Sequence, residues 1–451
     1  MQSRNWFGNQ TFGASLSAAT RVVALGALTL LTGCGLFGSN SGSSGSNPPS
    51  GPYANVVFLG DSLTAGFQNG SLLDTQQPNG YASLVAKQAG FAITLPLIAA
   101  PGAPAVLQLH STSFPPVITA ASGVTTGRDN PTAQPTDLAV PGHTLHDILN
   151  YAPPLTPTSG EDLITSLVLG FPVADTKAQL AEAVALKPST VFVWAGSDDA
   201  LQADETGIPA SMTSLASFTA DFAQLMGTLK ATGANIVVAN VPDVTSIPYM
   251  TAAPLLASEI AATTPGLSAS VVQAGLGLSN GDLVNAQGLT DVQAQIKALA
   301  TGGHLSALPD GDVLTAAEIT TVQNTIAAYN QIIQQQASAV GATLVDMHAY
   351  FITLQAGVAL NGTTATTGFL GGLFSLDGIH PTNTGYALLA NQFIAALNAK
   401  FGSSIAMVNV ATVAASDPYF GANIKAMRVP SIPVAAARRA DQVMDGFVAS
   451  K

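Results

Sequence analysis

The chain has 451 residues, of which 47% are hydrophobic and only 9% are charged, so it can bury the core of one large domain or of two smaller ones. Its formal net charge is −12, and its 14 Lys and Arg residues are scattered along the sequence. This charge balance argues against nucleic acid as a partner, because phosphates are neutralised by clustered basic side chains.

The N-terminal segment has the features of an export signal. Arg4 and Arg21 precede an apolar run, Val22–Leu31, of about ten residues, which is too short to span a bilayer and is typical of a signal peptide. The run leads into LTGC, which ends in Cys34, the single cysteine of the chain. This motif resembles a bacterial lipobox. The resemblance implies that residues 1–33 are removed, and that an acylated Cys34 anchors the exported protein to the bacterial cell envelope, at the outer membrane or cell surface.

Beyond the cysteine, a tether leads into alternating secondary structure. Residues 34–52 are rich in Gly, Ser and Pro and are predicted to be flexible. The predicted strands are Asn55–Gly60, Thr136–Gly142, Ser189–Gly196, Asn235–Pro242 and Ala342–His348. The predicted helices are Gly80–Gly90, Ala174–Pro188, Ser214–Gly233, Ala316–Val340 and Thr384–Phe401. The alternation predicts an α/β fold with a parallel, doubly wound sheet, which is a flavodoxin-like three-layer α/β/α sandwich.

Two stretches interrupt this alternation. Residues 96–135, rich in Pro, Thr, Ser and Ala, are predicted to be a long surface insertion. Residues 245–315 contain helical fragments such as Leu289–Ala300 and are predicted to form a helical lobe over one end of the sheet. The lobe could line a pocket for an acyl chain or simply pack on the sheet, and both interpretations stay open. Residues 402–451 form a C-terminal extension without a functional interpretation.

Chemically useful residues follow the predicted strands, where a parallel sheet forms its ligand crevice. Ser62 lies in GDSLTAG after the first strand, and Asp377 and His380 lie in SLDGIHPT before the last helix. A serine hydroxyl needs a base to remove its proton, an imidazole can act as that base, and a carboxylate can orient the imidazole. Taken alone, this stretch favours Ser62 as the N-cap of the helix that follows it, because serine is a favoured cap residue and helix caps are commoner than nucleophiles.

Histidine is scarce, with six residues in the chain, and His380 is the best candidate base. It has Asp377 three residues before it and a proline directly after it. His143 and His146 could suggest a metal pair, but no third ligand lies near them in the sequence, and neutral loop histidines are commoner. His348 ends a predicted strand and is interpreted as structural or pocket-lining. No metal or cofactor is predicted, because the sequence has neither a dense ligand cluster nor a phosphate-binding glycine loop after a strand.

Four blocks together resemble the GDSL/SGNH hydrolase family, the GDSL lipases and esterases. They are GDSLTAG, AVPGHT, GSDD and DGIHPTNTG, in the order of the family, and they bracket the chain from Asn55 to about Phe401. The resemblance implies an SGNH hydrolase domain over residues 53–401. Within it, Ser62 would be the nucleophile, His380 the base and Asp377 the residue that orients the base.

The resemblance also implies an oxyanion hole, from which this chain departs at one position. The donors would be the backbone N–H groups of Ser62 and Gly142 and a side-chain amide of the third block. The family usually has Gly-x-Asn-Asp there, whereas this chain has Gly196–Asp199, with Asp198 in place of the amide. An ionised carboxylate has no proton to donate. Asp198 could be held protonated, Ser197 could donate instead, or the site could be weaker by roughly 10²–10³-fold.

The leading functional prediction is a lipid-anchored, extracytoplasmic serine esterase or lipase that cleaves carboxylic esters through an acyl-enzyme on Ser62. Acyl lipids, acetylated polysaccharides and small acyl esters are all open as substrates. The first alternative is a binding protein that keeps the fold with an impaired site, a hypothesis motivated by Asp198. The second is an acyltransferase that passes the same acyl group to a sugar or an alcohol.

Overall fold

The computed structural model of the protein describes residues 51–111, 117–170 and 177–421. The chain divides into two units between Pro48 and Pro49, and all described residues belong to the second unit. The predicted signal peptide, Cys34, most of the tether and the last part of the C-terminal extension lie outside the described residues.

Strands and helices alternate along most of the described chain. The strands are β1 (Val56–Gly60), β2 (Leu107–Ser111), β3 (Val117–Ala120), β4 (Thr190–Trp194), β5 (Asn235–Ala239), β6 (Thr251–Ala252), β7 (Leu283–Val284), β8 (Val313–Leu314), β9 (Thr343–Val345), β10 (Val358–Leu360) and β11 (Thr363–Ala365). The helices are α1 (Ser62–Ala65), α2 (Tyr81–Ala89), α3 (Leu145–Asn150), α4 (Gly160–Leu169), α5 (Gln179–Ala185), α6 (Ser197–Thr206), α7 (Leu215–Ala231), α8 (Ala253–Thr263), α9 (Ala269–Gly275), α10 (Ala286–Leu299), α11 (Ala316–Val340), α12 (Met347–Leu354), α13 (Asn383–Phe401) and α14 (Val410–Ser416).

The central sheet is parallel and has the strand order β1-β4-β5-β9. Phe58 lies opposite Phe192 in the register of β1 and β4, and every residue of these two strands is buried. Burial on both faces explains why both strands are uninterrupted apolar runs. The predicted parallel α/β fold is therefore confirmed, and α11 has the same bounds as the helix predicted there.

Aromatic side chains fill the layer between one face of the sheet and two helices. Phe192 and Trp194 alternate with valines along β4, so both point to the same face. They make edge-on contacts with Phe393 of α13, which in turn stacks on Tyr81 of α2. A second aromatic group, in which Phe218 of α7 stacks on Tyr329 of α11, belongs to another helical layer, since α7 packs against both α11 and β5.

The predicted strand Thr136–Gly142 is not a regular strand. Its first half runs parallel to β1: Leu138 N–H donates to Phe58 O at 3.0 Å and Val140 N–H donates to Gly60 O at 3.2 Å, but only Asp137 forms a bridge with the strand. Two local causes are visible. Pro141 has no N–H for a ladder, and the Asp137 carboxylate accepts the Ala139 N–H, as in a turn.

The two interruptions of the alternation contain structure that the sequence patterns do not reveal. Within 96–135, β2 and β3 form an antiparallel hairpin that buries Leu107 and Ile118. Within 245–315, α8, α9 and α10 accompany the small antiparallel sheet β6-β7-β8. The buried residues of this lobe form a hydrophobic cluster separate from the main core. The small sheet is absent from the prediction because two-residue strands are too short to show periodicity.

The described part of the C-terminal extension packs along α13. The α14 helix contacts α13, and Asp417 accepts hydrogen bonds from the backbone and hydroxyl of Thr384, both at 2.7 Å. Across the described residues, we find no helix that combines the length and the apolar character needed to cross a membrane.

Candidate active site

Ser62 is the first residue of a short helix that begins where β1 ends. Asp61 has extended backbone angles and its Oδ1 accepts the Leu63 N–H at 3.0 Å, so Asp61 is the N-cap of α1. The alternative that Ser62 caps this helix is therefore wrong. The Ser62 hydroxyl instead contacts a histidine far along the chain: its Oγ lies 2.7 Å from Nε2 of His380.

The turn before Ser62 needs glycine. A Cβ on Gly60 would lie 2.3 Å from the Trp194 carbonyl oxygen and 2.6 Å from Oγ1 of Thr64. Only a residue without a side chain lets β1 run this close to β4 and then turn into α1. Gly60 thus allows the sharp turn that presents Ser62 at the carboxyl end of the sheet.

His380 and Asp377 lie on one loop, and both are almost fully buried. Nδ1 of His380 lies 3.1 Å from Oδ2 of Asp377, which is within ion-pairing distance although the pair is not aligned as a well-formed hydrogen bond. Such pairs in free enzymes often tighten when substrate binds. Because Nδ1 faces a carboxylate, we assign the neutral imidazole its proton on Nδ1, so that Nε2 accepts the Ser62 hydroxyl.

Backbone N–H groups surround the Asp377 carboxylate. Oδ1 accepts from Ile379 at 2.9 Å and from His380 at 2.8 Å, and Oδ2 accepts from Gly70 at 2.7 Å. Burial raises the pKa of Asp377, but the charge of a protonated His380 and these hydrogen bonds outweigh it, so the pKa lies below its ordinary value. Asp377 is therefore ionised when it faces the imidazole.

The segment after α1 holds the Asp377–His380 loop in place. Asn69 N–H donates to Oγ of Ser375 at 2.9 Å, and Oδ1 of Asn69 accepts the Leu376 N–H at 3.1 Å. The ring of Phe67 packs 4.6 Å from the imidazole of His380, measured between ring centroids. These residues are missing from the sequence-based site. Asn69 and Gly70 form an Asn-Gly turn signal, but no local pattern shows that the turn binds a loop 306 residues away.

Gly142 follows a chain segment that is hydrogen-bonded to the end of β1. Val140 donates its N–H to Gly60 O, and Gly142 and Ser62 each follow two residues after this hydrogen bond. Gly142 has φ +83°, a left-handed conformation that favours glycine. The geometry therefore brings together the two backbone segments whose N–H groups are expected to bind an oxyanion.

A cleft that opens to solvent lies beside Ser62, and its empty space, open solvent included, is about 420 Å³. Its polar lining residues are Ser62, Ser197 and Asp198. The remainder of its lining is apolar: Leu63, Leu201, Pro242, Val244, Ile247, Phe351 and Ile379. Asp198 is 8% exposed and lies in the first turn of α6, so the structure places it and Ser62 in the same cleft.

Two further carboxyl groups, those of Asp61 and Asp199, are buried near the turn that contains Ser62. Burial raises the pKa of Asp61 to about 7, and the negative charge of Asp199 adds to this, whereas hydrogen bonds from Leu63 and Ser197 lower it. Oδ2 of Asp199 accepts the Leu145 N–H at 2.8 Å and so connects the start of α6 to the start of α3. The third sequence block is thus joined directly to the chain that follows Gly142.

The remaining histidines lie apart from the triad. His143 is fully buried, whereas His146 is exposed and pairs with Asp221 at 3.1 Å, so the two do not face a common metal position. His348 lies in α12, beside Asn240 and Asp346, and lines a separate polar cleft. Over the ranges that the structure describes, no group of three or more His, Cys, Asp or Glu side chains is arranged to bind a metal ion.

Comparisons with known proteins show a family and a set of solved structures to which the chain is similar. Residues 56–393 match the family model described as GDSL-like Lipase/Acylhydrolase. No curated protein matches. Solved structures with a similar chain trace include an α/β hydrolase enzyme from the metagenome of Lake Arreo, Spain (13% identity, TM-score 0.34), and an acetylxylan esterase from Geobacillus stearothermophilus (14% identity, TM-score 0.33). Each alignment covers 76% of this chain and 93% of the other.

Proposed function

The chain belongs to the GDSL-like lipase/acylhydrolase family, and on this premise we propose that it is a serine hydrolase that cleaves carboxylic esters through an acyl-enzyme on Ser62. The observation that carries the proposal is the 2.7 Å contact between Ser62 Oγ and His380 Nε2, with ionised Asp377 on the opposite side of the imidazole. Serine, imidazole and carboxylate in this order are the arrangement that nucleophilic acyl transfer requires.

The reaction follows from these contacts. Ser62 Oγ attacks the ester carbonyl carbon while its proton passes to Nε2 of His380, and the imidazolium is stabilised by Asp377. The carbonyl oxygen becomes an oxyanion that accepts hydrogen bonds from the N–H groups of Ser62 and Gly142. When the intermediate collapses, the proton of His380 goes to the departing alkoxide and the acyl group stays on Ser62. Water then attacks the acyl-enzyme with His380 as base, which releases the carboxylic acid and restores the hydroxyl.

We propose that the acyl part of the substrate is aliphatic. The support is the cleft beside Ser62, whose walls, apart from Ser197 and Asp198, are formed by aliphatic side chains, proline and Phe351. An acyl chain gains roughly 0.8 kcal/mol for each CH₂ group that it buries on such a surface, whereas a sugar hydroxyl placed there would lose its hydrogen bonds to water. Esters whose acyl chain is longer than acetyl are therefore expected to be better substrates than acetyl esters, acetylated polysaccharides included.

We further propose that the protein is exported and anchored to the bacterial cell envelope through a lipid on Cys34. The support is the sequence alone, in the order of apolar run, lipobox-like LTGC and Gly/Ser/Pro tether. An anchor of this type would keep the hydrolase near lipid or envelope esters. Mass spectrometry of the N-terminus of protein purified from a bacterial membrane fraction tests this proposal: an unmodified Cys34, or a retained residue 33, would contradict it.

The hydrolase proposal is tested with a panel of p-nitrophenyl esters of graded acyl length, with Ser62→Ala as control. We expect activity that depends on Ser62 and that falls when the acyl group outgrows the cleft. The presence of Asp198 in this cleft supports the second candidate, a fold-retaining binding protein with an impaired oxyanion site. That candidate predicts ester binding without turnover. Added alcohol acceptors in the same assay reveal acyl transfer, because an acyltransferase would form a new ester in place of the free acid.

A further inference from the structure

A buried glutamine connects the nucleophile turn to the chain around Gly142. Gln179, the first residue of α5, is fully buried. Its Oε1 accepts the Gly60 N–H at 3.1 Å, and its Nε2 donates to Gly60 O at 3.0 Å. The same Nε2 lies 3.1 Å from Nδ1 of His143. One side chain therefore binds the residue before Asp61 and Ser62 and also the residue after Gly142.

The hydrogen bonds determine the protonation of His143. Oε1 of Gln179 is an acceptor, so its Nε2 carries two protons, one for Gly60 O and one for Nδ1 of His143. His143 Nδ1 is consequently the acceptor, and the proton of the neutral ring is on Nε2. That nitrogen lies 2.9 Å from Oγ1 of Thr165, which is also fully buried. The ring orientation is thus defined at both nitrogens.

The hydrogen bonds of Gln179 to Gly60 and His143, here called the Gln179 bridge, lie next to the two chain segments expected to bind the oxyanion. We call Val140–Leu145 the oxyanion loop; it contains Gly142 and His143. Gly60 is two residues before Ser62, so Gln179 binds the two chain segments whose N–H groups would donate to the oxyanion. A polar side chain with no contact to solvent is costly unless its groups are paired, and here the amide oxygen and both amide protons have partners.

We propose that Gln179 and His143 are positioning residues that hold the N–H groups of Ser62 and Gly142 in the geometry of an oxyanion hole. The inference rests on the proposed hydrolase function. Neither side chain contacts the reacting atoms in this arrangement, so both act through the backbone. Because a displacement of about 1 Å at such a site can cost about 10²-fold in rate, the bridge is expected to influence kcat strongly.

The test uses two substitutions that keep side-chain volume and remove polarity, Gln179→Met and His143→Phe, and their double variant. Gln77 provides a matched control: it is also buried, its Nε2 donates to Pro96 O at 3.0 Å and its Oε1 accepts the Ile98 N–H at 2.9 Å. Gln77→Met therefore removes the same kind of amide-to-backbone contacts far along the chain from the oxyanion loop.

In the kinetic measurement, we expect each of Gln179→Met and His143→Phe to lower kcat about 10–100-fold with KM changed less than about threefold. An alkyl trifluoromethyl ketone, which forms an oxyanion adduct with Ser62, should bind more weakly by the same factor. The double variant should be no worse than the poorer single variant, because the bridge is already broken. Gln77→Met should leave kcat per active site unchanged. Unchanged kcat in both single variants, or losses that multiply in the double variant, would overturn the inference.

A second measurement does not depend on turnover. Nitrogen NMR of ¹⁵N-histidine-labelled protein should show His143 protonated at Nε2 only, and Gln179→Met should shift its Nδ1 signal. Amide hydrogen exchange in peptides that cover the oxyanion loop should accelerate in Gln179→Met and stay unchanged in Gln77→Met. If the parent cleaves no ester, the proposed function fails while this measurement still decides on the bridge. If Gln179→Met has the same His143 signal and the same exchange in the oxyanion loop as the parent, the proposed role of Gln179 is refuted.

Discussion

Asp377→Asn is the substitution whose consequences the structure defines most closely. The carboxylate accepts three backbone N–H groups at 2.7–2.9 Å and also faces Nδ1 of His380. An asparagine can keep its oxygen toward the N–H groups of Ile379 and His380. Its NH₂ group then replaces Oδ2 and faces the Gly70 N–H and Nδ1 of His380, both of which are donors. If the asparagine amide is rotated by 180°, its NH₂ group instead faces the N–H groups of Ile379 and His380, and those two hydrogen bonds are lost.

The expected magnitudes follow from these contacts. A neutral imidazole next to the new NH₂ group places its proton on Nε2, where it can no longer accept the proton of Ser62. A wrong tautomer of this kind costs roughly 10³–10⁴-fold in kcat. The buried Gly70 N–H is left without an acceptor, which destabilises the fold by about 1–3 kcal/mol. Both effects come from one atom exchange at Oδ2.

The assay is ester hydrolysis at pH 7–8, combined with urea unfolding. Asp417→Asn is the matched control, because Asp417 is equally buried and accepts hydrogen bonds from Thr384 and Tyr419. We expect it to lose stability similarly and to keep kcat within about threefold. An Asp377→Asn variant that stays within tenfold of the parent rate would refute the tautomer argument.

Three further predictions concern the oxyanion site, pH and the cleft. Asp198→Asn should raise kcat at pH 7–8, by up to about 10²-fold if the carboxylate is ionised there, and pH profiles identical to the parent from pH 5 to 9 would contradict this. Burial raises the pKa of Asp137 to about 8, so its stabilising contribution is complete below the ordinary carboxyl pKa and is lost as pH rises toward 8. Asp137→Asn should therefore lose less unfolding free energy than the parent between pH 5 and 9 in urea titrations, and equal losses would count against it. Val244→Trp should narrow the cleft and lower the rate on hexanoyl relative to acetyl esters about tenfold, and an unchanged ratio in the ester panel would argue against this acyl site.

The parallel sheet was predictable because each of its strands is a short apolar run that can be recognised from the local sequence. Apolar runs such as Ser189–Gly196 and Asn235–Pro242 end at glycine or proline and are separated by helices of sufficient length for a crossover. The strand prediction is wrong at Thr136–Gly142, where a side chain accepts a backbone N–H and a proline lacks the N–H that a strand would donate to its neighbour. This segment has the composition of a strand. Because of Asp137 and Pro141, it forms only an isolated bridge with β1.

The candidate site was predictable in part. Asp377 and His380 are three residues apart, and Ser62 could be combined with them because the four sequence blocks together resemble one family. The identity of the helix cap was not predictable, since Asp61 and Ser62 are both favourable cap residues and the backbone angles decide between them. The contacts of Asn69 and Gln179 connect residues more than 100 positions apart, and such pairs leave no periodic pattern.

Active-site labelling is the direct test of Ser62 as the nucleophile. The purified protein is treated with an alkyl fluorophosphonate, and the modified peptide is identified by mass spectrometry, in parallel with p-nitrophenyl ester hydrolysis. We expect one label per chain on Ser62, with labelling and hydrolysis both abolished in folded Ser62→Ala. A parent that takes no label, or a Ser62→Ala variant that still hydrolyses the ester at the parent rate, would contradict this expectation.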